Sequence, residues 1–251
     1  VLQYAEGGNF NDWIKNNYKC FNWLNKLKVL KNIVSDLKEI HQKQMVHHDL
    51  HTGNILFDDI FMISSNINVY ISDMGSCKEV DNVDKTSVFG VMPYVAPEVL
   101  RGKPYTQAAD IYSFGMVMYF VATGKQPFAN YAHDELLAIE LCKGTRPEIN
   151  EPKAPKCYLD LMKKCWDPDP INRPDVTELE ESIGLLCNAY FNQFREAEKY
   201  RRTNLPFFEN SQLDTHHTHP QAIYTSRLLD SFTRKLENYD KSECFDCGIP
   251  I

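Results

Sequence analysis

The sequence predicts an α+β chain that is mainly helical, with its strands gathered in a short β-hairpin. Three observations carry this. Leu27, Leu30, Ile33, Val34, Leu37 and Ile40 recur at three- and four-residue steps, the period of an amphipathic helix. The stretch Asp110–Gly124 is apolar on nearly every face, as in a helix buried on all sides. Ile55–Phe57 and Val69–Ser72 are short apolar runs on either side of a longer excursion, Asp58–Asn68, and read as two strands.

Taken in order, Val1–Gly8 starts as a short strand and breaks at the pair Gly7-Gly8, after which Asn9–Lys15 forms a short helix. The amphipathic stripe extends the next helix over Phe21–Gln44, which delivers the chain to His47. After the hairpin and the buried helix, His133–Lys143 makes a helix stopped by Gly144 in the C′ position, and Cys157–Trp166 makes another. Asp175 with Glu178 reads as a capping box opening a helix that runs towards Cys187. From about Asn188 the character turns polar, and Arg195, Glu196, Glu198, Lys199, Arg201 and Arg202 suggest a surface helix. Beyond Pro206 clear periodicity returns only over Ala222–Leu236, so residues 191–251 read as a tail, partly helical and partly disordered.

Composition narrows the function classes. The chain has 251 residues, 43% hydrophobic and 24% charged, as in an ordinary globular protein with a sizeable core. A formal net charge of -7 without a long Lys/Arg run argues against nucleic acid as a partner. The apolar run Ile111–Ala122 is too short to span a bilayer and holds Ser113 and Gly115, so no membrane partner is expected. Val1–Phe10 lacks the pattern of a signal peptide, and with Val rather than Met first the chain reads as an excerpt of something longer. The eight cysteines are mostly scattered singly in helical segments, where Cys serves as a small buried hydrophobe, which fits a reduced cytoplasmic or nuclear setting.

The chemistry lies in His47-His48-Asp49-Leu50-His51-Thr52-Gly53-Asn54-Ile55-Leu56, followed by Asp73-Met74-Gly75. Phosphoryl transfer asks little covalent work of a protein. It needs a carboxylate to meet the attacking hydroxyl, and hard oxygen donors to hold the metal that neutralises phosphate charge. Asp49, Asn54 and Asp73 are those residue types. Downstream stand Gly90-Val91-Met92-Pro93-Tyr94-Val95-Ala96-Pro97-Glu98, then Asp110-Ile111-Tyr112-Ser113-Phe114-Gly115, then Cys165-Trp166-Asp167-Pro168-Asp169-Pro170-Ile171-Asn172-Arg173-Pro174.

In that order the five motifs resemble a protein kinase domain of the tyrosine-kinase-like, serine/threonine type, from the hinge to the last helix. The family's patterns are H-R-D-L-x-x-x-N and D-F-G, here H-H-D-L-H-T-G-N and D-M-G. The resemblance implies residues 1–190 as the kinase C-terminal lobe, with 1–10 as the hinge and the hairpin carrying the catalytic loop. It implies ATP and Mg²⁺ as cofactors and a protein hydroxyl as acceptor. Asp49 would be the catalytic residue, with Asn54 and Asp73 on the metal. Gln3 and Ala5 would offer backbone groups to adenine, Leu2 would line the back of the pocket, and Leu56 would press on the ring from below. His47 and Asp110 would be structural, and Glu98 with Arg173 would form a buried ion pair fixing the activation segment.

The departures are informative. His48 stands where many kinases keep an Arg that grips a phosphorylated loop, although Thr86 and Ser87 lie in that loop. His51 replaces a Lys near the γ-phosphate, and Val91 replaces a Thr; a His still donates a hydrogen bond, whereas Val does not. Met74 replaces Phe and, being apolar and flexible, is expected to fill the same space. Cys244-x-x-Cys247 with His216, His217 and His219 invites a zinc reading, since four such ligands complete a tetrahedral site, but the spacing matches none of the usual pairings.

A kinase also uses a smaller lobe with a Gly-rich loop, a strand Lys and a helix Glu, and none of these precedes Val1. The resemblance thus implies a chain without its N-terminal lobe, nearly inactive in isolation. Two readings stay open at this point: the C-terminal lobe of an active kinase, favoured by Asp49, Asn54 and Asp73, and a pseudokinase or truncated scaffold without transfer activity.

Overall fold

A computed structural model describes residues 5–58, 67–80, 87–149, 153–212, 218–233 and 236. The chain begins with β1 (Gly8–Asn9), α1 (Phe10–Asn17) and α2 (Trp23–Gln42). Each of the two helices is opened by an Asn. Asn9 accepts the Asp12 N–H and Asn22 accepts the Asn25 N–H, filling donors that a first turn leaves without partners. Of the strand expected at Val1–Gly8, residues 1–4 lie outside the described residues; Gly8, at φ +69°, joins β1 instead of ending an extended stretch. Trp13 of α1 stacks on Phe57 at 4.0 Å, and Phe10 sits edge-on to Phe120, so α1 is held by its aromatic face.

β2 (Met45–Val46), β3 (Ile55–Phe57), β4 (Val69–Ile71) and β5 (Lys78–Glu79) follow. β3 pairs antiparallel with β4 in the register Ile55↔Ile71, Leu56↔Tyr70, Phe57↔Val69, with β1 on its other edge. β2 and β5 make a second small ladder. Most of the predicted excursion between the hairpin strands lies outside the described residues.

The remaining elements are β6 (Phe89–Gly90), α3 (Pro97–Leu100), α4 (Gln107–Thr123), α5 (Glu135–Lys143), α6 (Lys156–Cys165), α7 (Val176–Asn188), α8 (Phe191–Gln212) and β7 (Arg227–Leu228). α4 is the core: Ile111, Tyr112, Phe114, Met116, Val117 and Met118 are all at most 1% exposed. Burying each such side chain contributes roughly 1.5–3 kcal/mol. Gly115 lets α6 approach closely, since a Cβ there would meet the Cys165 Cβ at 3.0 Å. The stripe Leu30, Ile33, Val34 and Leu37 of α2 is fully buried. α7 opens with both halves of its capping box, Asp175 and Glu178.

Several expectations shift. α2 starts at Trp23 because Asn22 is extended as its cap, and α4 starts at Gln107 because Thr106 is extended before it. Gly124, at φ +69°, caps α4 from outside instead of ending it. Of the six described cysteines only Cys165 is buried, while Cys20 and Cys187 are exposed, so the reading of Cys as a core hydrophobe holds for one position. Within Ala222–Leu236 the chain is extended at Arg227–Leu228 and helical from Asp230. Lys26, on the stripe side of α2, is 2% exposed with its Nζ donating to the Ala122 carbonyl at 2.8 Å. Burial and the nearby Arg201 hold that amine down to about 7, partly opposed by Glu198.

One ion pair ties four segments together. Arg173 donates from Nη1 and Nη2 to Glu98 Oε1 and Oε2 at 2.6 and 2.8 Å, from Nη1 to the Ala108 carbonyl, and from Nε to the Asp167 carbonyl. The Arg side chain is 0% exposed and the Glu 7%, so α3, the start of α4 and the loops flanking Arg173 meet on one guanidinium. Arg173→Met, which strands the Glu98 carboxylate, is expected to lower unfolding stability by about 3–5 kcal/mol in urea titrations. Adding Glu98→Leu to it should recover a large part of that loss, because the stranded charge is then gone.

Candidate active site

The site is built outward from one carboxylate. Asp110, in the first turn of α4 and 1% exposed, accepts the backbone N–H of His47 at 2.8 Å on Oδ2 and that of His48 at 3.1 Å on Oδ1. His41 Nε2 reaches the same Oδ2 at 2.9 Å from the end of α2. The loop His47–Asn54 is thereby fixed before any of its side chains is placed.

His47 then works as a bridge. Its Nδ1 lies 3.3 Å from the Asp49 N–H, which makes it an acceptor; Nε2 therefore carries the proton, donated to the Ser72 carbonyl at 2.9 Å. That bond links the loop to the residue preceding Asp73. Ser72 also donates its N–H and its hydroxyl to the Asn54 carbonyl, at 2.8 and 3.0 Å, so Asn54 and Asp73 are held at the same end of the β3–β4 hairpin.

Asp49 is 6% exposed. Asn54 Nδ2 donates to its carbonyl at 2.9 Å and approaches its Oδ2 at 3.5 Å. Burial, the largest single influence, works to raise the Asp49 carboxyl, but the nearby Nε2–H of His51 and the hydrogen bond of Ser226 outweigh it. The group stays below the ordinary carboxylate value and remains an anion at neutral pH. His51 Nδ1 accepts the Gly53 N–H at 3.0 Å, which puts the ring proton on Nε2, 3.1 Å from Ser226 Oγ and 3.6 Å from Asp49 Oδ2. Ser226 in turn donates its hydroxyl to Asp49 Oδ2 at 2.5 Å. A carboxylate, a hydroxyl and an imidazole N–H are thus in sequence.

The other expected residues fall as follows. Gln3 and Leu2 lie outside the described residues, as do Thr86, His216, His217, Cys244 and Cys247. The Ala5 carbonyl accepts the Gly8 N–H at 3.1 Å. Leu56 is half-buried, on the face of β3 opposite the buried Ile55 and Phe57. Asp73 takes a left-handed φ of +60° and is exposed, with Ser76 Oγ donating to its Oδ2 at 3.3 Å. Met74 was expected to fill core space, but it is 51% exposed, because the tight turn Met74–Ser76 after Asp73 buries none of its residues. Gly90, at φ +147°, passes so close to the loop that a Cβ would lie 2.9 Å from Val95 and 3.4 Å from Asp49 Oδ1.

Four contributors escaped the sequence reading: His41, Ser226, Tyr105 and Gln126. Tyr105 stacks on His48 at 4.3 Å and donates its hydroxyl to the Phe89 carbonyl at 2.7 Å. Gln126 joins α1 to the loop, with Nε2 donating to Asn11 Oδ1 at 2.6 Å and Thr52 Oγ1 at 3.0 Å. His41, three residues before the predicted helix end at Gln44, sits in the last turn, where a basic residue is common. Ser226 carried none, since 177 residues separate it from Asp49.

As a place for Mg²⁺, the arrangement fits in kind. Among the described residues no group of three or more His, Cys, Asp or Glu could hold a metal by itself. Mg²⁺ is ordinarily held by one or two carboxylates with phosphates and water completing the shell, and Asp73 with the Asn54 side-chain oxygen is a donor set of that type.

Comparison with known proteins gives a consistent picture. The protein kinase domain family matches residues 1–182. A protein of Acanthamoeba polyphaga mimivirus named as a serine/threonine-protein kinase/receptor is 34% identical over 193 residues, 76% of this chain and 11% of that protein. The serine/threonine-protein kinases STY17 and STY46 of Arabidopsis thaliana are 27% and 28% identical over 80% and 79% of this chain, each match covering 34% of the relative. The chain thus spans about a tenth to a third of the length of these relatives.

His48 marks a pH dependence. Burial, the main cause, together with Lys78 and His47, holds its imidazole down from 6.5 to about 4 despite Asp110 and Asp49. The unfolded chain therefore takes up a proton near pH 6.5 that the folded chain refuses until about pH 4. The contribution is complete above pH 6.5 and declines as pH falls through that window. Thermal melts of wild type and His48→Phe, which keeps the ring on Tyr105, should diverge between those limits, with wild type losing stability more steeply.

Proposed function

The chain belongs to the protein kinase family, and from that premise we propose that its protein transfers the γ-phosphoryl group of ATP to serine or threonine hydroxyls of a protein acceptor. One observation carries this reading: an anionic Asp49, its carboxylate 2.5 Å from a serine hydroxyl. A positioned base must lie within hydrogen-bond reach, about 3.2 Å or less between heavy atoms, of the group whose proton it takes, and this contact is inside that reach.

In this reading Asp49 aligns the acceptor hydroxyl and receives its proton as the oxygen moves to phosphorus. His51 donates its Nε2–H to the same oxygen and fixes the approach from the other side. The β3–β4 hairpin is the element that carries this loop, with Asn54 and Asp73 as the metal-holding pair and Leu56, Ala5 and Gln3 towards the adenine. When bound, Mg²⁺ neutralises phosphate charge that the protein side chains here do not. His47, Asp110, Glu98 and Arg173 keep the frame and touch no reacting atom. The names of the relatives support serine/threonine over tyrosine as acceptor.

The position of His48 also bears on control. A ring held neutral and stacked on Tyr105 is not a cation that could grip a phosphorylated loop. Activity of this protein is therefore read as independent of such a grip.

Incubating the full-length protein with Mg²⁺-ATP and myelin basic protein should give phosphoserine or phosphothreonine on the acceptor. Asp49→Asn, checked for an unchanged circular dichroism spectrum, should lower that rate by about 10²–10⁴-fold. Equal incorporation by both proteins removes Asp49 from its role. No incorporation by wild type, with ATP or partner binding retained, leaves the scaffold reading in its place.

A further inference from the structure

After α8 the chain returns across the face of the site. Residues 218–233 run past the α4–α5 connection, where the Ile223 N–H donates to His133 Nδ1 at 3.0 Å and Arg227 Nη2 donates to the His133 carbonyl at 2.6 Å. They then pair as β7 against β6, antiparallel, with Phe89↔Leu228 and Gly90↔Arg227 in register. Leu229 donates its N–H to the Val88 carbonyl at 2.7 Å and is 0% exposed. This is strand addition to a lone strand: main-chain bonds hold the extended segment to β6 in a two-stranded ladder of its own, and Leu229 just beyond it is buried. The side chain just ahead of the strand is Ser226, and its hydroxyl is the one on Asp49.

A serine that merely plugs a site needs neither feature. Any donor would satisfy Asp49, and the ladder with β6 could fall anywhere along the tail. Here the register of the strand sets one hydroxyl between the carboxylate and the His51 N–H, which are the two groups assigned to the acceptor. We propose that residues 219–230 are an intramolecular substrate strand and that Ser226 is the residue the protein phosphorylates on itself, in cis. The inference rests on the phosphotransferase reading above.

The step balances with Mg²⁺-ATP as donor. Ser226 Oγ forms a bond to the γ-phosphorus, the bond from that phosphorus to the β–γ bridging oxygen breaks, and ADP leaves with that electron pair. The hydroxyl proton passes to Asp49 and then to solvent. The product places a phosphate carrying about -1.5 to -2 charge against an anionic carboxylate, which drives the strand off. Until then the strand occupies the groove that any other acceptor must enter. An acceptor that replaces it has the chemistry of the sequence Ser226-Arg227-Leu228-Leu229: a hydroxyl, a cation next to it and a buried leucine three residues on.

The test uses full-length protein, Mg²⁺-ATP, myelin basic protein as the outside acceptor, and mass spectrometry of the tail peptide. Phosphate should appear on Ser226 of wild type and not of Asp49→Asn, at a fractional rate unchanged by tenfold dilution of the protein. Leu229→Asp, which dislodges the strand, should abolish that modification and give a KM for the outside acceptor about tenfold below that of Ser226→Ala, as expected if the unmodified strand leaves the site open about a tenth of the time. Ser226→Ala, which keeps the strand, should leave KM high. Phosphate transfer to the outside acceptor with Ser226 unmodified overturns the inference and leaves the kinase reading standing. A Ser226 rate that falls with dilution overturns transfer in cis. Absence of transfer to both acceptors removes the kinase reading and this inference with it.

Discussion

Everything at the site depends on the Asp110 carboxylate. A loop that must present His47, Asp49 and Asn54 in fixed directions has backbone N–H groups that no helix or strand satisfies. Burying two of them without acceptors would cost about 1–3 kcal/mol each. Asp110 accepts both, and it can do so because α4, the most deeply buried helix, holds its Cα in place. Its own desolvation is offset in turn by His41. The frame of the site is thus anchored in the hydrophobic core. A positive φ at His48, +74°, is the local cost of turning both amides toward one side chain.

Much of this was legible from residue order. The apolar stripe of α2, the buried α4 and the Asp175–Glu178 box followed from periodicity and capping chemistry. Residue order places Asn54 and Asp73 at the ends of two strands, and the bonds of Ser72 to the Asn54 carbonyl hold those two ends together. Helix ends were off by one to three residues where a cap rather than the apolar pattern decides, as at Asn22 and Thr106. Lys26 could not have been placed in the core from its type, because the Ala122 carbonyl and the Trp23 ring that make its burial tolerable are partners only the fold supplies. Ser226 was invisible for a deeper reason: strand addition depends on main-chain edges and on the path of α8, neither of which leaves a periodic mark on a polar tail.

The substitutions in the signature region form one pattern once seen in space. His48 has exchanged a charge for a stacking surface, with Tyr105 as its partner, and Tyr105 also holds the Phe89 carbonyl next to the strand-receiving edge. His51 has exchanged a long cation for a short ring whose tautomer is set by the Gly53 N–H. His51 thereby brings its Nε2 to 3.6 Å from Asp49 Oδ2. Gly90 completes the arrangement, because any side chain there would press on Val95 and crowd the carboxylate.

The edge presented by β6 has a consequence for how copies of the molecule behave towards each other. Exposed strand edges tend to recruit further strands, and proteins suppress this by keeping them short, twisted or covered. β6 has two residues, one of them a glycine in a conformation other residues avoid, and it turns at once into the Met92–Tyr94 turn. Such an edge can receive one segment in one register, but it offers too few donors and acceptors to seed a growing sheet.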